Sequence, residues 1–230
     1  WMFGAFFFND SYKKALYTTY ISQNYCTPKF YDSPTTGLSV YHQSSLRIVG
    51  GLNAKLGLRF DYEHAKEDYE SYKTATAWDR TLGAPTDTYN STLNFTQFTP
   101  KFALEYLFSN DNMVYASVTR GYKTGGFNST FTQDDERTFE PEYNWNYEIG
   151  AKTSLFDHAL QADLTLFYVD WRHQQITQTV PGVGNITRNA GHSDSKGVEL
   201  GLTVRPVQPL TLRMSYGYTY ARFLNYKKSA

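Results

Sequence analysis

One cysteine, Cys26, in 230 residues rules out any disulfide within the chain. No run of eighteen apolar residues occurs, which excludes a bundle of transmembrane helices. Neither sign of charge is in excess, since Lys plus Arg and Asp plus Glu both total 22. No net field therefore favours nucleic acid or an anionic surface. The five histidines are scattered without metal-ligand spacing, so no metal site or cofactor is expected. No basic leader or cleavage site precedes Trp1. Trp1–Phe8 reads as the interior of a strand, and Lys227–Ala230 as the start of a loop. The sequence is thus expected to be a fragment.

What is abundant is aromatic: 20 Tyr, 16 Phe and 4 Trp, types that favour strands and membrane interfaces. They lie in long stripes of period two. Leu52, Ala54, Leu56, Leu58, Phe60 and Tyr62 alternate with Asn53, Lys55, Gly57, Arg59, Asp61 and Glu63. Eleven residues of such alternation is the length a tilted strand needs to cross a bilayer. Similar stripes include Phe98 to Phe108, Leu160 to Tyr168 and Leu212 to Tyr220. No sustained 3.6-residue period competes.

Nine spanning strands are predicted: 1–9, 38–49, 52–63, 95–108, 112–122, 144–155, 159–171, 195–205 and 210–223. A turn at Asn9-Asp10-Ser11 would add a tenth. Short turns are predicted near 50, at Ser109-Asn110-Asp111, at Phe156-Asp157-His158 and at Pro206-Val207-Gln208-Pro209. Long polar loops are predicted near 10–37, 64–94, 123–143 and 172–194. Short turns on one rim and long loops on the other describe an all-β, antiparallel transmembrane β-barrel segment with meandering strands. A soluble β-sandwich also alternates, but its strands are usually nearer five or six residues.

Four local signatures resemble the TonB-dependent receptors of Gram-negative outer membranes, of the ferric-siderophore or pesticin receptor type. They are Val114 to Asn128, with Arg120-Gly121-Tyr122-Lys123-Thr124-Gly125-Gly126; Phe139-Glu140-Pro141-Glu142 followed by Asn146 to Lys152; Leu166 to Trp171 running on to Gln174-Gln175; and Asn189-Ala190-Gly191 followed by Gly197-Val198-Glu199-Leu200. The resemblance implies a plugged 22-stranded barrel, of which residues 1–230 would supply part of the barrel domain. The N-terminal plug, the segment that contacts TonB and the C-terminal strands would then lie outside this sequence. It also implies uptake of a bulky iron complex across the outer membrane. Haem, cobalamin or an oligosaccharide are alternative cargoes within the same class. A passive porin and an enzyme are the readings from other classes. No nucleophile–base pair shares the lumen register, so no catalytic residue is assigned.

Hairpin parity places Tyr122, Lys123, Arg137, Trp171, Arg172, His173, Arg188 and His192 on the outer side. There, aromatic faces beside cations would suit a partly anionic, aromatic ligand. Ordinary solvated loop or girdle is the competing role for each. His173 or His192 as a haem ligand has no spacing to support it. Glu148, Lys152, Asp163, Glu199, Arg205 and Arg213 share the lumen-facing register and are read as a paired charge network on the wall. Gly121, Gly125 and Gly126 are read as turning the chain out of the barrel. Asp134-Asp135-Glu136 reads as an exposed acidic loop tip. The Asn-x-Ser/Thr matches at Asn90, Asn94, Asn128 and Asn185 read as chance. Whether these strands close alone or leave sticky edges is left open.

Overall fold

A computed structural model describes residues 1–109 and 111–226. Its strands are β1 (Met2–Tyr20), β2 (Tyr25–Val49), β3 (Leu52–Ser71), β4 (Asp87–Ser109), β5 (Asn112–Lys123), β6 (Gly126–Phe127), β7 (Thr138–Phe139), β8 (Glu142–Leu155), β9 (Leu160–Val180), β10 (Gly184–Val207) and β11 (Leu210–Tyr226). Nine of them form one sheet in the order β1-β2-β3-β4-β5-β8-β9-β10-β11, and β6 pairs with β7. Sequence neighbours are spatial neighbours throughout, the meander that short turns produce. The only helical element among the described residues is a 3-10 turn, Asp134–Arg137.

The predicted count of nine sheet strands holds, but their lengths do not. Asn9-Asp10-Ser11 lies inside β1, so no tenth strand begins there. The predicted loop 10–37 is instead the continuation of β1 and β2, joined by a turn over residues 21–24. The loop 64–94 shrinks to 72–86, and the loop 172–194 to residues 181–183. Only 123–143 is largely a loop, and it contains β6, the 3-10 turn and β7. The cause is the backbone: polar segments still need partners for every N–H and C=O, and an extended antiparallel ladder supplies them. Alternation fades there because both faces meet water, so the pattern that marks a spanning strand disappears although the strand continues.

The turns on the opposite rim stand close to where they were predicted. Gly50 takes φ +55° between β2 and β3, and Phe156, Asp157 and His158 take φ of 55°, 51° and 65°. Pro206 and Val207 remain in β10, leaving Gln208-Pro209 as the turn. Asn110 of the second predicted turn and Lys227–Ala230 lie outside the described residues.

Two compact units can be separated: residues 1–4, 40–60 and 97–230, and residues 5–39 with 61–96. In the first, the apolar stripes are not packed against a second layer. Ile149 is 63% exposed and Met214 63%, with Leu166, Tyr168, Leu212 and Tyr218 exposed beside them. A sandwich would bury these rows, so the sandwich alternative fails. The opposite face is closed by rings laid over glycines: Tyr115 covers Gly150 and Phe167 covers Gly197, each occupying the space a Cβ would need.

The second unit comprises the extended ends of β1 to β4. Ser39 donates to the Asp61 carboxylate at 2.5 Å and Ser33 to Glu67 at 3.3 Å, continuing one face of the β2–β3 ladder in polar form. Cys26 is completely buried there.

Candidate functional site

The connection from β5 to β8 is the one long outer segment of the first unit, and hydrogen bonds fasten it to the β9–β10 hairpin. Asn128, 5% exposed, is central. Its amide donates to the carbonyls of Glu136 and Thr187, both at 2.8 Å, and its side-chain oxygen accepts from the Thr187 N–H at 2.9 Å. A side-chain amide can meet a strand's donor and acceptor together, which few residues can do. Farther on, the Gln175 amide donates to the carbonyls of Thr124 (2.7 Å) and Glu140 (3.1 Å), while its backbone N–H donates to Glu142 at 2.6 Å. Asn189 donates to the carbonyls of Glu140 and His173, each at 2.8 Å, and accepts from the Glu140 N–H at 2.7 Å. Parts of all four sequence signatures thus meet in one platform, although they are scattered along the chain from Thr124 to Asn189.

Glu136 anchors the 3-10 turn. Its carboxylate accepts from the Thr132 N–H at 2.8 Å, from the Thr132 hydroxyl, and from Arg188, whose Nε lies at 2.9 Å. Burial works to raise this carboxyl, but the Thr132 and Arg188 hydrogen bonds and the arginine charge outweigh it and hold it at about 2. A folded-state value below the ordinary 4.5 stabilises the docked loop above that pH, and the contribution is lost as pH falls through about 2. Loop protection in amide exchange is therefore expected to decline between pH 4.5 and 2, and Glu136→Gln should abolish that decline. An unchanged profile in the variant would remove Glu136 as the cause. Asp134-Asp135-Glu136 is thus not simply an exposed acidic tip, because its last member is committed to this network.

The eight outer-side candidates separate. Arg137 and Arg188 belong to the platform. The Arg137 guanidinium lies 4.0 Å from the Phe131 ring centre and its Nε donates to Asp134 at 3.0 Å. Arg188 also donates to Gln178 at 3.2 Å. Arg172, His173 and His192 gather at an irregularity in the β9–β10 register and line a groove of about 430 Å3 with Asn189, Ala190, Gly191 and Asn225. Asp170 joins two of them, accepting from Arg172 Nε at 2.8 Å and lying 2.6 Å from His192 Nε2. His173 takes φ +53°, and its ring centre is 5.6 Å from that of Tyr143. Tyr122 pairs with Tyr143 across β5–β8, Lys123 Nζ is 3.9 Å from Glu142, and Trp171 sits between Asn144 and Ser193. Gly121, Gly125 and Gly126 have no positive φ. At Gly121 and Gly126 the use is close approach instead: a Cβ would press on the Asn144 side chain and on the Phe139 ring, respectively.

On the opposite face, Lys152 Nζ is 3.7 Å from Asp163, and Glu148 accepts from Asn146 at 2.5 Å. Glu199 lines a groove of about 350 Å3 with Glu148, Asn144 and Asn146. Arg213 pairs in register with Thr203, and the Arg205 backbone N–H donates to Ala159 at 2.7 Å. These last two therefore stand apart from the Glu148–Lys152–Asp163 group. Sequence reasoning missed Lys55, whose ammonium is 2.6 Å from Glu105. Both lie on predicted strands, and lumen parity was the signal that could have found them.

The second unit carries a cavity that sequence reasoning does not find, because the polar segments 10–37 and 64–94 lack the alternation of a strand. Its volume is about 740 Å3 and its lining includes Lys13, Phe30, Asp32, Asp68 and Glu70. Beside it, the buried rings of Tyr31 and Tyr69 stand 5.0 Å apart, with Lys14 Nζ 5.4 Å from the Tyr31 centre. Burial, then the neighbouring Tyr69 and Glu67, push the Tyr31 hydroxyl well above the usual phenol range.

Residues 1–229 match the family model "TonB dependent receptor-like, beta-barrel". The pesticin receptor of Yersinia enterocolitica serotype O:8 is 27% identical over 164 residues, covering 71% of this chain and 23% of that receptor. A probable TonB-dependent siderophore receptor, PiuA of Acinetobacter baumannii, is 23% identical over 196 residues, covering 83% of this chain and 24% of its own length. This chain therefore spans about a quarter of the curated relatives it matches. The crystal structure of the ferric yersiniabactin uptake receptor FyuA from Yersinia pestis superposes with a TM-score of 0.74 at 21% identity, covering 96% of this chain and 32% of that one. For the siderophore receptor PiuA the TM-score is 0.65 at 16% identity, with 99% and 40% covered. With a nine-stranded meander, an exposed apolar face and a match along nearly its whole length, the chain belongs to the β-barrel domain of the TonB-dependent receptors, a family of the outer membrane.

Proposed function

We propose that this chain supplies barrel wall and outer rim to a Gram-negative outer-membrane receptor that takes up a ferric siderophore with energy from TonB. The observation that carries this reading is the platform in which four separated signatures converge at the outer ends of β5, β8, β9 and β10. It is a rigid, hydrogen-bonded rim of the kind on which recognition residues can be held. The pesticin and siderophore receptors it resembles support the cargo class.

Tyr122, Lys123, Arg137, Trp171, Arg172, His173, Arg188 and His192 are the proposed ligand-facing set. Arg172, His173 and His192 lead it, because they share one groove. Arg137 and Arg188 act by holding the platform, since their guanidinium groups are engaged by carboxylates within it. Glu148, Lys152, Asp163, Glu199, Arg205 and Arg213 are proposed to line the lumen, where the plug domain of a complete receptor would meet them. TonB would engage the plug side of the receptor rather than the barrel wall.

The test is uptake by the complete receptor in a receptor-deficient host under iron limitation. A panel of radio-iron siderophore complexes should include at least one that enters only when both the receptor and TonB are present. Arg172→Ala with His192→Ala should reduce that uptake at least tenfold while surface expression holds. Uptake of cobalamin or haem alone would overturn the cargo, and TonB-independent conductance would overturn the class.

A further inference from the structure

The outward face of the first unit carries a dent that the transport reading does not use. Strand registers align Leu104, Ala116, Ile149 and Leu166 in one transverse row, and Phe102, Val118, Tyr147 and Tyr168 in the next row toward the long-loop rim. Ala116 is the small member among large neighbours. The gap beside it opens a groove of about 490 Å3 whose side-chain lining is almost wholly apolar. That is large enough for a small-molecule site, and grooves of this character take apolar ligands.

One step farther toward the same rim, the row becomes Arg120, Trp145, Asp170, Asp194 and Arg222. Here the exposed face changes from hydrocarbon to charge, with Tyr147, Tyr168 and Tyr220 just below, as aromatic girdles stand at a membrane interface. Arg120 and Arg222 share this row with the two carboxylates, while Arg172 stands one row farther out and Lys196 one row below, its ammonium 5.9 Å from the Tyr220 ring. Asp194 is taken by Arg222 through two bonds, at 2.9 and 3.2 Å, and Asp170 by Arg172 and His192. Arg120 differs: among the described residues it bonds only neutral acceptors, the Phe98 carbonyl at 2.5 Å and Gln97 Oε1 at 3.1 Å, with the Tyr143 ring 4.9 Å away. A guanidinium has five donors, so some remain for a further oxygen. It stands directly above the dent, because Val118, two residues before it on the same face of β5, lines the groove.

We infer that this groove holds one phosphorylated, acylated lipid of the surrounding leaflet, an acyl chain lying over Ala116 and the phosphate on Arg120. Two features choose this occupant over generic solvent lipid. The dent lies where Ala116 stands among Leu104, Ile149 and Leu166, and the one arginine of this rim that bonds only neutral acceptors among the described residues, Arg120, stands at its headgroup end. A guanidinium favours phosphate through charge-assisted, paired hydrogen bonds, which a neutral headgroup cannot return.

The experiment uses the complete receptor in detergent, exchanged against dioleoyl phosphatidic acid or dioleoylglycerol, which differ only in the phosphate. Native mass spectrometry then counts the lipid that is retained. One phosphatidic acid per receptor is expected, with at least tenfold less dioleoylglycerol. Ala116→Phe, which fills the dent, should lower phosphatidic acid retention at least fivefold. Arg120→Gln should lower it to the dioleoylglycerol level. Ala162→Phe, on the same face far from the groove, should leave it unchanged and shows that an added ring does not unfold the barrel. Equal retention of both lipids overturns the inference, as does wild-type retention in either groove variant.

Discussion

Asn128→Ala is expected to release the β5–β8 connection from β10 while leaving the barrel folded. The substitution removes two donated bonds and one accepted bond at a site that is 5% exposed. The Thr187 N–H and two carbonyls are left without partners in a place water reaches poorly. Unmade buried hydrogen bonds cost about 1–3 kcal/mol each, and partial rehydration recovers some of that, leaving about 3 kcal/mol against docking. This corresponds to roughly a hundredfold shift in the opening equilibrium. Limited chymotrypsin digestion of the complete receptor should therefore cut at Phe131 far faster in the variant, with the spanning core still intact on gels. Asn90→Ala, in an exposed position, should not change the rate. An identical cleavage rate in Asn128→Ala would mean the loop is held by something other than this amide.

The second large effect separates two glycines that look alike in sequence. At Gly197 a Cβ would overlap the backbone carbonyl oxygen of Tyr218 on β11 as well as the Phe167 ring. A strand backbone has no means of moving aside without breaking its ladder. At Gly150 the obstacle is only the far end of the Tyr115 ring, which can rotate away at the cost of its hydroxyl bond to Thr165, 3.0 Å long. Overpacking costs about 1–3 kcal/mol where neighbours can adjust and more where they cannot. Gly197→Ala should thus lower folding stability by about 3 kcal/mol or more, and Gly150→Ala by about 1–2 kcal/mol. Adding Tyr115→Ala should restore part of the Gly150→Ala loss and should do nothing for Gly197→Ala. Urea midpoints for the complete receptor in lipid vesicles measure all four, and equal losses at the two glycines would refute the distinction.

The spanning strands were legible because lipid imposes a rule on every second residue. Leu52 to Tyr62 and Leu212 to Tyr220 obey it without exception on one face. The outer extensions of β1 to β4, β9 and β10 were not legible. Residues such as Lys13, Asp32, Lys66 and Asp68 are polar on a face that would be apolar lower down, and polar strands read as loops. Parity and resemblance single out the eight candidate residues. Neither could foresee that Asn128 and Glu136 would consume Thr187 and Arg188. That outcome depends on a contact across 59 residues of chain between Asn128 and Thr187, and periodicity carries no information at that range. The open question about edges has a plain topological answer within the described residues: β1 and β11 are the two ends of the sheet order.

Cys26 is sealed inside the second unit, with a weak contact from the Thr19 hydroxyl at 3.7 Å and its backbone N–H held by Thr74 at 2.9 Å. A thiol hidden in this way is slow to meet reagents in solution. A cysteine engineered at the tip of the β9–β10 hairpin would consequently be the single group in these residues that a maleimide dye finds quickly. Fluorescence from that tip could report on ligand arrival without first deleting the native sulfur.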